Sequence, residues 1–169
     1  TAKFFNQLSN IIDDKEYFIN RIAEIRNIRP NISITTDVIV GFPGETEELF
    51  DETVDTINKI KFSKIHVFPY SRREGTKADL MENQIPENIK KERVKKLISI
   101  SRNLELEYMN KFIGSTLEFI PEIEKEGYLY GHTGNYLYIK VNGCKDLLHK
   151  TMLVKIVDSE YPYSIGEIV

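Results

Sequence analysis

Two stretches carry residue types suited to holding a ligand, and each follows a short apolar run. The first is Thr35-Thr36-Asp37-Val38-Ile39-Val40-Gly41-Phe42-Pro43-Gly44-Glu45-Thr46. Its β-branched run, Val38 to Val40, shows no polar alternation, which predicts a strand covered on both faces, as in a parallel sheet. Asp37 then stands in an apolar setting, where a carboxylate is costly unless paired or hydrogen-bonded. Gly41, Pro43 and Gly44 break the strand, and open α/β sheets and barrels bind ligands at such strand ends. Glu47 and Glu48 fall in the first turn of the next helix, where the dipole favours acids, and they disfavour a phosphate at that helix start. The glycines therefore suit close approach to a flat neutral group such as a purine, or a plain structural turn. The second stretch, Tyr70-Ser71-Arg72-Arg73-Glu74-Gly75-Thr76, leaves the end of Ile65-His66-Val67-Phe68-Pro69. Its mixture fits a polar ligand or nucleic acid, or a solvated loop. His66 has no Cys or His at metal-ligand spacing and reads as a structural histidine.

The elements that must position these residues follow from periodicity. Asp13 with Glu16 predicts a helix start. Phe18, Ile22 and Ile25 recur at helical spacing, and Pro30 ends that helix. Thr46 caps the next one, whose buried face is Phe50, Val54 and Ile57. Pro86 opens a long helix with a stripe of Ile89, Val94, Leu97, Ile98, Leu104 and Tyr108, running to about Phe112. The basic residues at 90, 91, 93, 95 and 96 read as a solvated helix face. Residues 15–112 are thus helix–strand–helix–strand–helix, an alternating α/β pattern with parallel strands. Residues 1–12 fit no pattern.

From Gly114 the pattern changes to short strands at 116–120, 127–130, 136–141, 153–157 and 165–169, separated by turn residues. Five strands in so short a span predict a small antiparallel barrel of the OB-like kind. Tyr128, Tyr130, Tyr136 and Tyr138 offer stacking surfaces for bases, and Lys140, Lys145, Lys150 and Lys155 offer phosphate contacts. The alternative is that the tyrosines cover the barrel core and the lysines guard strand edges. Residues 113–169 hold five lysines against eight Asp and Glu, so composition alone does not favour nucleic acid.

Composition bounds the rest. The 169 residues suggest one domain or two small ones, and 41% hydrophobic with 29% charged residues marks a globular chain. The net charge of -3 advertises no global basic field for nucleic acid. No run reaches the roughly 18–20 apolar residues of a membrane helix, and no basic region leads into an apolar core at the start. A cytoplasmic location without membrane association is expected. The lone Cys144 excludes an internal disulfide or a Cys-based metal site and reads as a buried thiol.

Thr36 to Thr46 resembles a signature of the radical S-adenosylmethionine methylthiotransferases, the MiaB-like family. Val67-Phe68-Pro69-Tyr70-Ser71 with Arg73-Glu74-Gly75-Thr76 resembles the next block, and the small barrel resembles the RNA-binding TRAM domain that ends these enzymes. The resemblance implies an α/β chain in two parts. Residues 1–112 would be the C-terminal portion of a partial (β/α) barrel, and 113–169 an OB-like TRAM barrel. Arg72 and Glu74 stand where the isopentenyladenosine branch usually has prolines. Gly127 to Tyr136 looks most like the MtaB-type branch, which methylthiolates carbon 2 of threonylcarbamoyladenosine beside the tRNA anticodon. Two alternatives are the branch that modifies a ribosomal-protein aspartate and a stand-alone RNA-binding module without catalysis.

In this family two 4Fe-4S clusters and S-adenosylmethionine carry radical chemistry that adds sulfur and then a methyl group. The resemblance implies that Asp37, Ile39, Gly41 and Phe68 lie near S-adenosylmethionine. It places Tyr70, Arg72 and Arg73, with Tyr130, Tyr136 and Lys140 of the barrel, on the side of a tRNA anticodon stem-loop. The family's cluster cysteines are missing. The resemblance therefore implies a fragment with no catalytic or metal-ligating residues, inactive without its N-terminal half. Two strands cannot close a barrel, so self-association through an open sheet edge is expected.

Overall fold

The computed structural model describes residues 15–169. The expected helix start at Asp13 and the unassigned stretch 1–12 lie outside the described residues. The chain divides into two compact units, the first ending at Leu104 and the second running from Glu105 to Val169.

The first unit alternates as its sequence predicts. Helix α1, Lys15–Ile28, buries Ile22 and ends before Pro30. Ile25, expected on the buried face, is exposed. Strand β1, Thr35–Val40, leads through the Gly/Pro turn into α2, Glu47–Ile60. Thr46 caps α2, its hydroxyl accepting the Leu49 N–H. Phe50, Ile57 and Ile60 are buried and Val54 packs against them. At the other end of α2, Arg26 of α1 donates to the carbonyls of Ile60 and Lys61. Those carbonyls have no partner inside the helix, so Arg26 completes them and complements the negative end of the dipole. Strand β2, Lys64–Pro69, pairs with β1 in parallel, with Asp37 opposite His66 and Ile39 opposite Phe68. The two form a two-stranded sheet.

The sheet is not covered on both faces, as the apolar run led us to expect. Val38 and Val40 are buried, whereas Asp37 and Ile39 are exposed. Helices pack on one side alone among the described residues, so the opposite side meets solvent and Asp37 needs no buried partner.

Helix α3, Glu87–Asn110, begins one residue after Pro86. Its buried positions in this unit are Lys90, Arg93, Leu97, Ser101 and Leu104, spaced three or four apart. Of the expected stripe, Leu97 and Leu104 are buried and Val94 packs against the same core, whereas Ile98 is exposed and Lys90, Arg93 and Ser101 take the other inward positions. Ser101 accepts the Ile65 N–H at 3.1 Å and donates back to the Ile65 carbonyl at 3.2 Å. One hydroxyl thus satisfies both backbone groups of a strand residue.

The second unit contains β3 (Thr116–Lys125), β4 (Tyr128–Thr133), β5 (Tyr138–Asn142), β6 (Met152–Glu160) and β7 (Tyr163–Ile168). They close in the order β3-β4-β5-β7-β6, each strand pairing with two others. The barrel is not wholly antiparallel: β5 and β7 run parallel. Phe119, Leu129, Ile139, Val141, Val154 and Ile156 point inward, joined by Met109 and Phe112 from the chain leading into β3. Cys144, expected to be buried, is exposed. It precedes the short 3-10 turn Lys145–Leu147, outside the inward alternation of the strands.

Candidate functional site

The turn after β1 is built on buried charge. Gly41 has φ +75°, and a Cβ there would lie 2.4 Å from Cγ of Lys90. A glycine is therefore needed for the left-handed backbone and for the lysine packed beside it. Of the two uses open to this turn, Gly41, buried against Lys90, fits the structural turn rather than close approach to a purine. Its N–H donates to the buried Glu45 carboxylate. Arg93 donates to the same carboxylate at 2.8 Å, to the Glu45 carbonyl at 3.0 Å and to Glu47 at 3.0 Å. The guanidinium also lies 5.0 Å from the centre of the Phe50 ring. The basic run of α3 is therefore not a uniform solvated face: Lys90 and Arg93 are buried, while Lys91, Lys95 and Lys96 are exposed.

The start of α2 favours an ionised acid. Hydrogen bonds from its own backbone N–H and from Thr46 hold the Glu48 carboxyl below its ordinary value. A lowered folded-state pKa gives stability above the ordinary carboxylate range, lost as pH falls through the folded value. Thr46→Ala should cost about 1 kcal/mol of stability and flatten this acid limb. Thermal melts between pH 3 and 6, with Glu48→Gln as reference, check both effects.

The expected S-adenosylmethionine residues do not all share one surface. Asp37, Ile39 and Phe68 lie on the exposed face of the sheet, and Ile39 and Phe68 are 42% and 50% exposed on paired positions. Gly41 is buried at the strand end. His66, read as structural, is exposed opposite Asp37. In the following loop, the Tyr70 N–H donates to the Val40 carbonyl at 2.8 Å, tying the loop to β1. Its ring packs edge-on against Phe42, and its hydroxyl is buried with no hydrogen-bond partner. Arg72 donates to the Asp79 side chain at 2.5 Å and to its carbonyl at 2.9 Å, bracing the loop. Arg73 is exposed.

In the second unit one outer face is aromatic. Tyr130 and His132 of β4, Tyr138 of β5 and Tyr163 of β7 form a continuous patch. Ring centres are 5.3 Å apart for Tyr130–Tyr163, 5.2 Å for Tyr138–Tyr163 and 4.8 Å for the stacked His132–Tyr138 pair. Strand alternation explains it, since Leu129, Gly131 and Thr133 between them turn inward. The tyrosines therefore do not cover the barrel core. Tyr136 is not in a strand; it sits in the β4–β5 turn at φ +62° and is 77% exposed. Its ring centre lies 6.2 Å from that of His132. Lys140 lies 4.6 Å above the centre of the Tyr128 ring. Burial, then Tyr163, Glu122 and Tyr130, push the Tyr138 hydroxyl above its ordinary value, keeping it a neutral phenol. Sequence reasoning missed His132 and Tyr163. Position 132 continues the period-two spacing of 128 and 130 and was legible. Tyr163 joins through the long-range β5–β7 pairing and was not.

Comparison with known proteins covers both units. The chain is 45% identical over 159 residues to threonylcarbamoyladenosine tRNA methylthiotransferase MtaB of Bacillus subtilis, a match covering 91% of this chain and 35% of that protein. The chain belongs to the MiaB-like methylthiotransferase family. It is also 41% and 36% identical to tRNA-2-methylthio-N(6)-dimethylallyladenosine synthases of Aliarcobacter butzleri and Aquifex aeolicus. Each of those matches covers 92% of this chain and about 35% of the relative. The chain thus spans about a third of the length of the curated relatives it matches. No protein-family model matches the chain. Among the described residues no helix is long and apolar enough to cross a membrane, and no three His, Cys, Asp or Glu cluster as metal ligands would.

Proposed function

We propose that this chain supplies part of a cytoplasmic tRNA methylthiotransferase that modifies carbon 2 of threonylcarbamoyladenosine next to the anticodon. The carrying observation is 45% identity, across both units, to a relative named for that nucleoside, against 41% and 36% to relatives named for dimethylallyladenosine. Arg72 supports the same branch. It replaces a proline usual in the isopentenyladenosine branch, and its pairing with Asp79 gives the substitution a role in shaping the loop.

The first unit would form one wall of the S-adenosylmethionine site. Ile39 and Phe68, apolar and adjacent on the exposed face, suit the flat adenine, and Asp37 beside them suits a polar group of the same ligand. Gly41, Glu45, Lys90 and Arg93 would act behind the wall by fixing its turn. Arg73 remains the substrate-side candidate of the loop. Clusters of this family do not fit the chain: its one cysteine, Cys144, is exposed in the barrel unit and cannot supply a three-cysteine set. Any such cluster is held by residues outside this chain. The second unit would be the TRAM-like barrel; its five-stranded order with a parallel β5–β7 closure supports an OB-like fold that grips tRNA.

The test replaces the matching segment of the Bacillus subtilis relative with this chain, in a strain lacking that relative, followed by mass spectrometry of tRNA nucleosides. The methylthio form of threonylcarbamoyladenosine is expected. Methylthio on dimethylallyladenosine alone would overturn the branch, and an unmodified tRNA pool from a stable, cluster-loaded chimera would overturn the whole reading.

A further inference from the structure

We infer that the aromatic face of β4, β5 and β7 holds unpaired RNA bases by stacking, with Lys140 as its one phosphate-side contact. This rests on the tRNA reading above and specifies how that RNA is held. Four rings linked by contacts, Tyr130, His132, Tyr138 and Tyr163, present a π-surface. Bases stack on such a surface whatever their sequence, provided that they are not already stacked in a duplex.

Charge narrows the mode of binding. Residues 105–169 contain six lysines and no arginine against ten carboxylates, so this unit cannot track a duplex backbone through a basic groove. The carboxylates also give the face a direction. On one side Glu122 bonds His132 at 2.9 Å, and Glu160 pairs across the strands with Tyr163. On the other side Lys140 pairs across the strands with Tyr130 and overlies Tyr128. A sugar–phosphate chain is repelled from the Glu122 and Glu160 sides and accepted on the Lys140 side, with its bases turned onto the tyrosines. Lys125 pairs across the strands with Tyr128 but has the neighbouring carboxylate of Glu126 at 3.8 Å, and Lys145 and Lys150, in and after the 3-10 turn, and Lys155 on β6 are not among the residues that pair with the four rings.

Weak salt dependence distinguishes this mode. Affinity for single strands falls with salt as about 0.7 per neutralised phosphate on a log–log plot. One contact predicts about a threefold loss between 50 and 200 mM salt, whereas six would predict about a 300-fold loss. The experiment measures fluorescence anisotropy of a labelled eight-nucleotide oligoadenylate with the full chain over that salt range. The expected result is the shallow slope, with binding weakened about 5- to 150-fold by Tyr138→Leu and largely kept by Tyr138→Phe. Leu keeps apolar cover without a π-face, and near-ultraviolet dichroism of each variant confirms folding. Lys155→Ala should change little, and unlabelled duplex RNA should not compete.

A steep slope, an unaffected Tyr138→Leu variant, displacement by duplex or by a ribosomal-protein loop peptide, or no binding at 50 mM salt would overturn the inference. The chimera assay separates the two readings. Modified tRNA with no oligonucleotide binding removes the stacking face alone, while oligonucleotide binding without modification removes the enzymatic assignment alone.

Discussion

Arg93→Met is expected to destabilise the first unit by about 3–5 kcal/mol, the cost of breaking a buried ion pair from one side. The side chains of Arg93 and Glu45 are 6% and 1% exposed. Removing the guanidinium takes the paired cation away from the interior Glu45 carboxylate, while the Gly41 N–H still donates to it. Met fills similar space, so lost charge rather than a cavity dominates. The loss is a large fraction of the 5–15 kcal/mol that holds an ordinary domain together. Glu45→Gln combined with Arg93→Met should recover part of it, because no buried charge is then stranded. Urea unfolding followed by far-ultraviolet dichroism reads both variants. A single-variant loss below 1 kcal/mol, the value for exposed pairs, would show that water already solvates this pair.

That pair also marks where the sequence could be read and where it could not. The strand, turn and helix of residues 35–60 were legible because local signals agreed. An apolar β-branched run, Gly and Pro at the turn and Thr46 at the cap all point to one structure, and the parallel pairing of β1 with β2 follows from the alternation with helices. Lys90 and Arg93 were not legible. A run of basic residues on a helix is usually solvated, and only the tertiary position of Glu45 makes burial of Arg93 affordable. The same limit hid the exposure of Asp37 and Ile39, since a strand's run of hydrophobicity does not say which layers are present to cover it. In the barrel, strand count and the aromatic spacing were visible, whereas the parallel closure of β5 on β7 depends on residues more than twenty apart. Cys144 illustrates the reverse case. Small apolar residues prefer the interior, but this one lies just past a strand end, where the turn sets its exposure.

The candidate surfaces follow the same division. Ile39 and Phe68 stand together because parallel pairing puts them in register. The aromatic face exists because the consecutive strands β4 and β5 and the sequence-distant β7 turn their outward positions the same way. Gly131, between two of those aromatic residues, lets β4 approach β3 closely. An added Cβ there would lie 2.1 Å from the Ile120 carbonyl oxygen and 2.9 Å from Cα of Pro121, both backbone atoms of the facing strand.

Gly131→Ala should therefore be among the most damaging single-atom additions in the chain. A flexible side chain could swing away from such a contact, but the Ile120 and Pro121 backbone is fixed by pairing with β4 itself. Relief requires separating β3 from β4 where the register already shifts, between Pro121 and Ile123. We expect a loss of about 3 kcal/mol, at the upper end for overpacking a tight interior. Gly134→Ala, three residues on, is the matched control. It has nothing within 4 Å of the added carbon and should change stability by less than about 0.5 kcal/mol. Denaturation of the two variants side by side gives the comparison, and amide spectra localise the damage. Gly131→Ala should shift resonances of β3, β4 and the Tyr130–His132–Tyr138 face together, and it should abolish oligonucleotide binding while Gly134→Ala retains it. Equal stability of the two variants would mean that β3 and β4 do not approach as closely as the barrel requires, and the aromatic face would lose its structural basis with them.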